Sequence, residues 1–133
     1  MGKDDFKIYL GGMIGDCIKD CDELTKDIYQ YFDGLIFCEH NSKDGTKELL
    51  ESRKKDGEII SMPFLRNHGI SMNSILTSHK LMPGDYLIIS DSLERISILF
   101  AQNIREFCWG LAKKNINTVY SYGKISAELY RGV

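Results

Sequence analysis

Two carboxylates, Asp91 and Glu94, follow directly on the run Tyr86-Leu87-Ile88-Ile89-Ser90, and a third, Glu39, follows on Leu35-Ile36-Phe37-Cys38. Each run is too short for a helix and bounded by turn residues, the pattern of a strand buried on both faces of a parallel sheet. Acids placed there stand at the C-terminal edge of the sheet, where open α/β sheets bind ligands. Other residues suited to a ligand accompany them. Gly11-Gly12 marks a place where backbone must approach something closely. Asn41 and Asp44 lie in the polar stretch after Glu39, and Arg66-Asn67 in a later connection, with Arg66 long enough to reach a phosphate. His40 and His68 read as loop residues.

These positions need strands and helices to hold them. Phe6 to Leu10 reads as a first strand that ends at Gly11-Gly12. Apolar residues at helical spacing (Cys21, Leu24, Ile28, Tyr31, Phe32) predict a helix over 20–32, and Leu35 to Cys38 a second strand. Ser42 is placed to cap the next helix, with Asp44 in its first turn and an end near Lys55. A short strand over 58–62, a helix over 69–81 and the strand 86–90 follow. Ser97 then caps a long helix that turns Phe100, Ile104, Phe107, Cys108 and Leu111 inward and closes at Asn115. Residues 117–130 read as a β-hairpin or two successive strands.

The order β-α-β-α-β-α-β-α-β-β predicts an α/β fold with a doubly wound, mainly parallel sheet, because right-handed crossovers put helices on both faces. With strand order 3-2-1-4 the switch point lies between the first and fourth strands. The pocket there would gather residues 11–16, 39–41, 66–67 and 91–94. Neither the GxGxxG fingerprint nor the GxxxxGK[ST] loop occurs, so a dinucleotide fold of the usual kind and a P-loop are not signalled.

At 133 residues the chain is the size of one domain, taken as 1–133. A net charge of −2, with basic clusters only at the predicted helix ends Arg53-Lys54-Lys55 and Lys113-Lys114, gives no reason to bind nucleic acid. No apolar run approaches the roughly 20 residues of a membrane span. The opening residues lead straight into a strand without a secretory signal, so a cytoplasmic protein is expected. Cys17, Cys21, Cys38 and Cys108 form no CxxC pair. They fit reduced thiols used as small buried hydrophobes.

The ordered motifs resemble the nucleotide-sugar-binding half of a family 2 glycosyltransferase with the GT-A fold, over roughly residues 6 to 97. The resemblance rests on Phe37-Cys38-Glu39, then Ser42-Lys43-Asp44-Gly45-Thr46, Asn67-His68-Gly69, Asn73, Gly84-Asp85-Tyr86, and Asp91-Ser92-Leu93-Glu94 in place of an Asp-x-Asp motif. It implies a nucleoside-diphosphate sugar as ligand, of UDP type, with Glu39 accepting a hydrogen bond from the imide N–H of the base and Asp44 contributing nearby. It also implies a divalent cation, Mn or Mg, on Asp91 and Glu94, to neutralise the departing diphosphate. Leu93 stands where the family has its second motif acid. The family's catalytic base belongs to an acceptor-binding half beyond this stretch, so no residue here receives that role. Two functions stay open: sugar transfer with inversion, completed by a homo-oligomer contact or a partner chain that supplies the acceptor half, and a degenerate GT-A domain that binds or scaffolds without transfer.

Overall fold

The structure is a computed structural model and describes residues 2–90, 95–114, 120–122 and 127–131. Strands β1 (Ile8–Ile14), β2 (Gly34–Glu39), β3 (Glu58–Ser61) and β4 (Tyr86–Ser90) form a parallel sheet in the order β3-β2-β1-β4. The last segment is an antiparallel pair, β5 (Tyr120–Tyr122) and β6 (Ala127–Arg131), and β6 lies antiparallel to β4, so the sheet reads β3-β2-β1-β4-β6-β5. Helices α1 (Ile18–Thr25), α2 (Thr46–Arg53), α3 (His68–Leu76), α4 (Ile98–Gln102) and α5 (Ile104–Lys113) make the crossovers. Among the described residues no helix is long and apolar enough to cross a membrane. The result is a Rossmann-like, doubly wound α/β fold.

Strand alternation sorts the core into two layers. Ile8, Leu10, Leu35, Phe37, Tyr86 and Ile88 pack with Cys21 and Leu24 of α1, Leu50 of α2, and Ile104 and Cys108 of α5. The intervening residues Tyr9, Ile36, Cys38, Leu87 and Ile89 face the other way, against Ile75 of α3. Every residue of β2 and β4 is buried, which is why both strands read as unbroken apolar runs rather than as alternation.

Several boundaries differ from the sequence expectation. β1 does not end at Gly11-Gly12 but runs through them to Ile14. The close approach they permit is to neighbouring strands: a Cβ on Gly11 would stand 2.5 Å from the Ile36 carbonyl oxygen, and one on Gly12 2.6 Å from that of Ser90. The first helix stops at Thr25, and a 3-10 turn at Tyr29–Tyr31 carries the rest of the apolar pattern. A 3-10 turn repeats every three residues, so it mimics helical spacing over a few positions. The helix after β3 ends at Leu76 rather than near 81. Ser97 does cap its helix, accepting from the Phe100 amide, but the helix breaks at Asn103, whose carboxamide donates to the Leu99 carbonyl. Its expected end at Asn115 lies outside the described residues.

At the N-terminal edge of the sheet, Arg105 of α5 donates to the Asp33 carboxylate at 2.6 Å and to the Phe6 carbonyl at 2.8 Å, while Asp33 also accepts from the Ile8 amide. This ties α5 to the start of β1. Trp109 stacks on Phe6, so it belongs to this packing. All four cysteines are free thiols; Cys21, Cys38 and Cys108 are buried and Cys17 half-buried. Burial pushes the Cys21 and Cys108 thiols up to about 12. Because the thiolate is the reactive form, an exposed-thiol reagent at pH 8 is expected to label Cys17 first and the other three only on unfolding. Rapid native labelling of Cys108, read by mass spectrometry of peptides, would contradict the packing of α5.

Candidate functional site

β2 ends in Glu39, and by alternation its side chain turns to the α1–α2 side, while His40 turns to the α3 side. Glu39 is 0 % exposed. Its Oε1 accepts from the Ser42 amide at 2.7 Å and the Ser42 hydroxyl at 2.6 Å. Its Oε2 is buried with no hydrogen-bond partner among the described residues. Burial raises this carboxyl's pKa, but the Ser42 hydroxyl, Ser61, the Ser42 amide and Lys47 outweigh it and hold the group below its ordinary value.

The turn after Glu39 is built by acids. Asn41 takes a positive φ of 48°, a conformation Asn tolerates better than most residues. Ser42 is not the cap of α2, because the helix starts only at Thr46, with Gly45 in the cap position, and the Ser42 hydroxyl donates to Glu39. Asp44 instead accepts from the Thr46 hydroxyl at 2.6 Å, the Thr46 amide at 3.1 Å and the Ile18 amide at 2.9 Å, ahead of the helix rather than within its first turn. The Thr46 hydroxyl is the main cause of its lowered pKa. Asp16 accepts from the Lys43 amide, so the loop after β1 and the loop after β2 are laced together.

On the α3 side a cleft of about 290 Å³ opens beside the ends of β1 and β2, lined by Met13, His40, Phe64, Arg66, His68 and Ser71 among others. His40 Nε2 lies 3.3 Å from Ser71 Oγ, and its ring meets Phe64 edge-on. Burial lowers the His40 pKa, Glu39 raises it and His68 lowers it; the net shift is downward, so the imidazole is neutral at pH 7. Asn67 is spent on structure, its carboxamide oxygen capping α3 through the Gly69 amide at 3.0 Å.

The expected site residues therefore separate. Glu39, Asn41 and Asp44 form one connected turn and Arg66 lines the neighbouring cleft, whereas Gly11 and Gly12 are buried within the sheet. Asp91 and Glu94 lie outside the described residues. No group of three or more His, Cys, Asp or Glu able to hold a metal occurs among the described residues. His40 falls within the stretch 39–41 expected at the pocket, although it reads from sequence as a loop residue without a role, and Phe64 as a cleft residue was not expected at all. A larger hollow of about 610 Å³ lies at the opposite, N-terminal edge. Asp85 there is consumed by the Lys7 and Met82 amides, which gives the Gly84-Asp85-Tyr86 motif a structural role. No protein-family model matches this chain, and no curated protein matches it.

Proposed function

We propose that this domain binds a nucleoside-diphosphate sugar of UDP type, as the nucleotide-binding half of a family 2 glycosyltransferase with a GT-A fold, and that it takes part in sugar transfer with inversion. The observation that carries the reading is Glu39 Oε2, a buried acceptor at the end of β2 with no hydrogen-bond partner among the described residues. Buried polar atoms are nearly always paired, so such an oxygen is suited to a donor brought by a ligand. A nucleotide brings several, from the base imide and the ribose hydroxyls. The strand order supports the same reading, since β1 and β4 flank the switch point and Asp91 follows β4 in the sequence.

The residues that would hold a divalent cation are Asp91 and Glu94. An acceptor-binding half that carries the catalytic base completes the site. The domain works in the cytoplasm, where four reduced thiols persist. Leu93 favours a second reading, a degenerate GT-A domain that binds or scaffolds without transfer, because Leu cannot coordinate a cation.

Titration calorimetry with UDP, with and without Mn²⁺, tests this. Metal-dependent binding that Asp91→Ala abolishes is the expected result. Metal-independent binding transfers the weight to the second reading, and no binding of any nucleoside diphosphate removes the nucleotide reading altogether.

A further inference from the structure

Phe64 is 71 % exposed. A single exposed apolar side chain is ordinary, so the exposure alone decides nothing. Its surroundings do. The ring stands in the wall of the cleft, and its centroid lies 5.3 Å from that of His40 with the planes at 81°. Two perpendicular rings make a corner rather than a stack. A flat ligand laid against Phe64 therefore presents its edge, not its face, to His40.

That edge meets hydrogen-bonding groups. Ser71 is 2 % exposed, and its hydroxyl is within 3.3 Å of His40 Nε2. A neutral imidazole offers one donor and one acceptor, and a hydroxyl can do either. Such mixed groups suit the alternating donors and acceptors along the rim of a nitrogen heterocycle. Volume points the same way. At about 290 Å³ the cleft is at or just below the lower limit of roughly 300–1,000 Å³ usual for small-molecule sites. It has room for one ring system and leaves the remainder of a nucleotide sugar outside, past Arg66 and His68 on the exposed rim.

We infer that the Phe64–His40 corner is a base-reading site, in which a nucleobase stacks on Phe64 and turns its edge to His40 and Ser71. The inference rests on the nucleotide reading and adds to it the part that recognises the base. It moves the imide contact that the resemblance gives to Glu39 across the strand end to the His40–Ser71 pair, leaving Glu39 Oε2 to the ribose hydroxyls. A sugar phosphate, which has no π-face, is not a ligand of this corner.

The test uses the full chain with UDP, uridine, glucose 1-phosphate and pyrophosphate as probes. Phe64→Leu keeps apolar bulk and removes the ring, and because the residue is exposed the thermal midpoint is expected to stay at the wild-type value. Base stacking on an aromatic side chain predicts that UDP and uridine bind roughly 5- to 150-fold more weakly to Phe64→Leu. Upfield shifts of the uracil H5 and H6 protons on binding the wild-type protein are expected to disappear in the variant. His40→Asn is expected to change the ratio of UDP to CDP affinity. If UDP binds wild type and Phe64→Leu alike, or without ring-current shifts, the inference falls and the nucleotide reading stands. Pyrophosphate competing as tightly as UDP also overturns the inference. Failure of UDP, CDP, ADP and GDP to bind at all removes both.

Discussion

Gly11→Ala is expected to cost about 3 kcal/mol or more of folding stability, the upper end of what overpacking does in a well-filled interior. β1 lies between β2 and β4, and the added methyl would meet the Ile36 carbonyl oxygen at 2.5 Å and the Leu87 and Ile89 Cδ1 atoms at 3.1 and 3.2 Å. The carbonyl belongs to a paired strand and cannot swing aside as a side-chain tip would. Against a typical total of about 5–15 kcal/mol, such a loss moves a urea midpoint far to the left. Gly15→Ala is the control. Its Cβ would meet nothing within 4 Å, so it is expected to be neutral or slightly stabilising. The pair separates two roles for glycine. A ligand-contact glycine loses binding and keeps stability, and a strand-packing glycine loses stability first. A wild-type urea midpoint for Gly11→Ala would refute the packing role.

The second large effect concerns Glu39→Gln. The carboxamide oxygen can still accept from Ser42, but its NH₂ points where Oε2 now has no partner. An unsatisfied buried amide costs about 1–3 kcal/mol. The pH dependence changes as well. The folded pKa of Glu39 lies below its ordinary value of 4.5, so the carboxylate's contribution is whole above about pH 4.5 and is lost as pH falls through the folded value. Glu39→Gln has no such titration, and its stability should fall less steeply on the acid side of pH 4.5 than that of the wild type. Urea unfolding at pH 7 and pH 3.5 reads both effects. Removing a charged acceptor from a ligand hydrogen bond lowers UDP affinity by roughly 10- to 150-fold. A folded Glu39→Gln variant with unchanged UDP affinity would mean that Oε2 receives nothing from the ligand.

The fold was legible because β2 and β4 are buried on both faces, and only an unbroken apolar run can survive there. Leu35 to Cys38 and Tyr86 to Ser90 announced themselves for that reason. Glycine misled at β1, since Gly11-Gly12 and Gly15 have the same local chemistry and differ only in what neighbouring strands bring within reach. Caps misled at α2 for a related cause. Ser42 and Asp44 are both good cap residues, but α2 starts at Thr46 with Gly45 in the cap position, while Ser42 donates to Glu39 and Asp44 accepts from Thr46 ahead of the helix. The break at Asn103 left no trace in the apolar spacing, because Phe100, Ile104, Phe107 and Leu111 keep their period across it. In the site, Glu39 was evident as a strand-end acid. His40 was placed at the pocket but given no role, and Phe64 was not foreseen, because the cleft they share is formed by segments that meet only once α3 has folded back over the sheet.

The strand order also governs how the molecule must assemble. The sheet's centre joins β1 to β4 through contacts such as the Lys7 amide on Asp85, 78 residues apart, whereas the Ile8 amide reaches Asp33 across 25. Closing the longer loop costs about 1 kcal/mol more in chain entropy, and non-local closures of this kind slow folding. β2 and β3 can align on one flank of β1 while its other flank still has bare N–H and C=O groups. On a ribosome that flank stays open until residues 86–90 emerge, so a strand that ends up paired on both sides within the sheet is exposed to mispairing during synthesis.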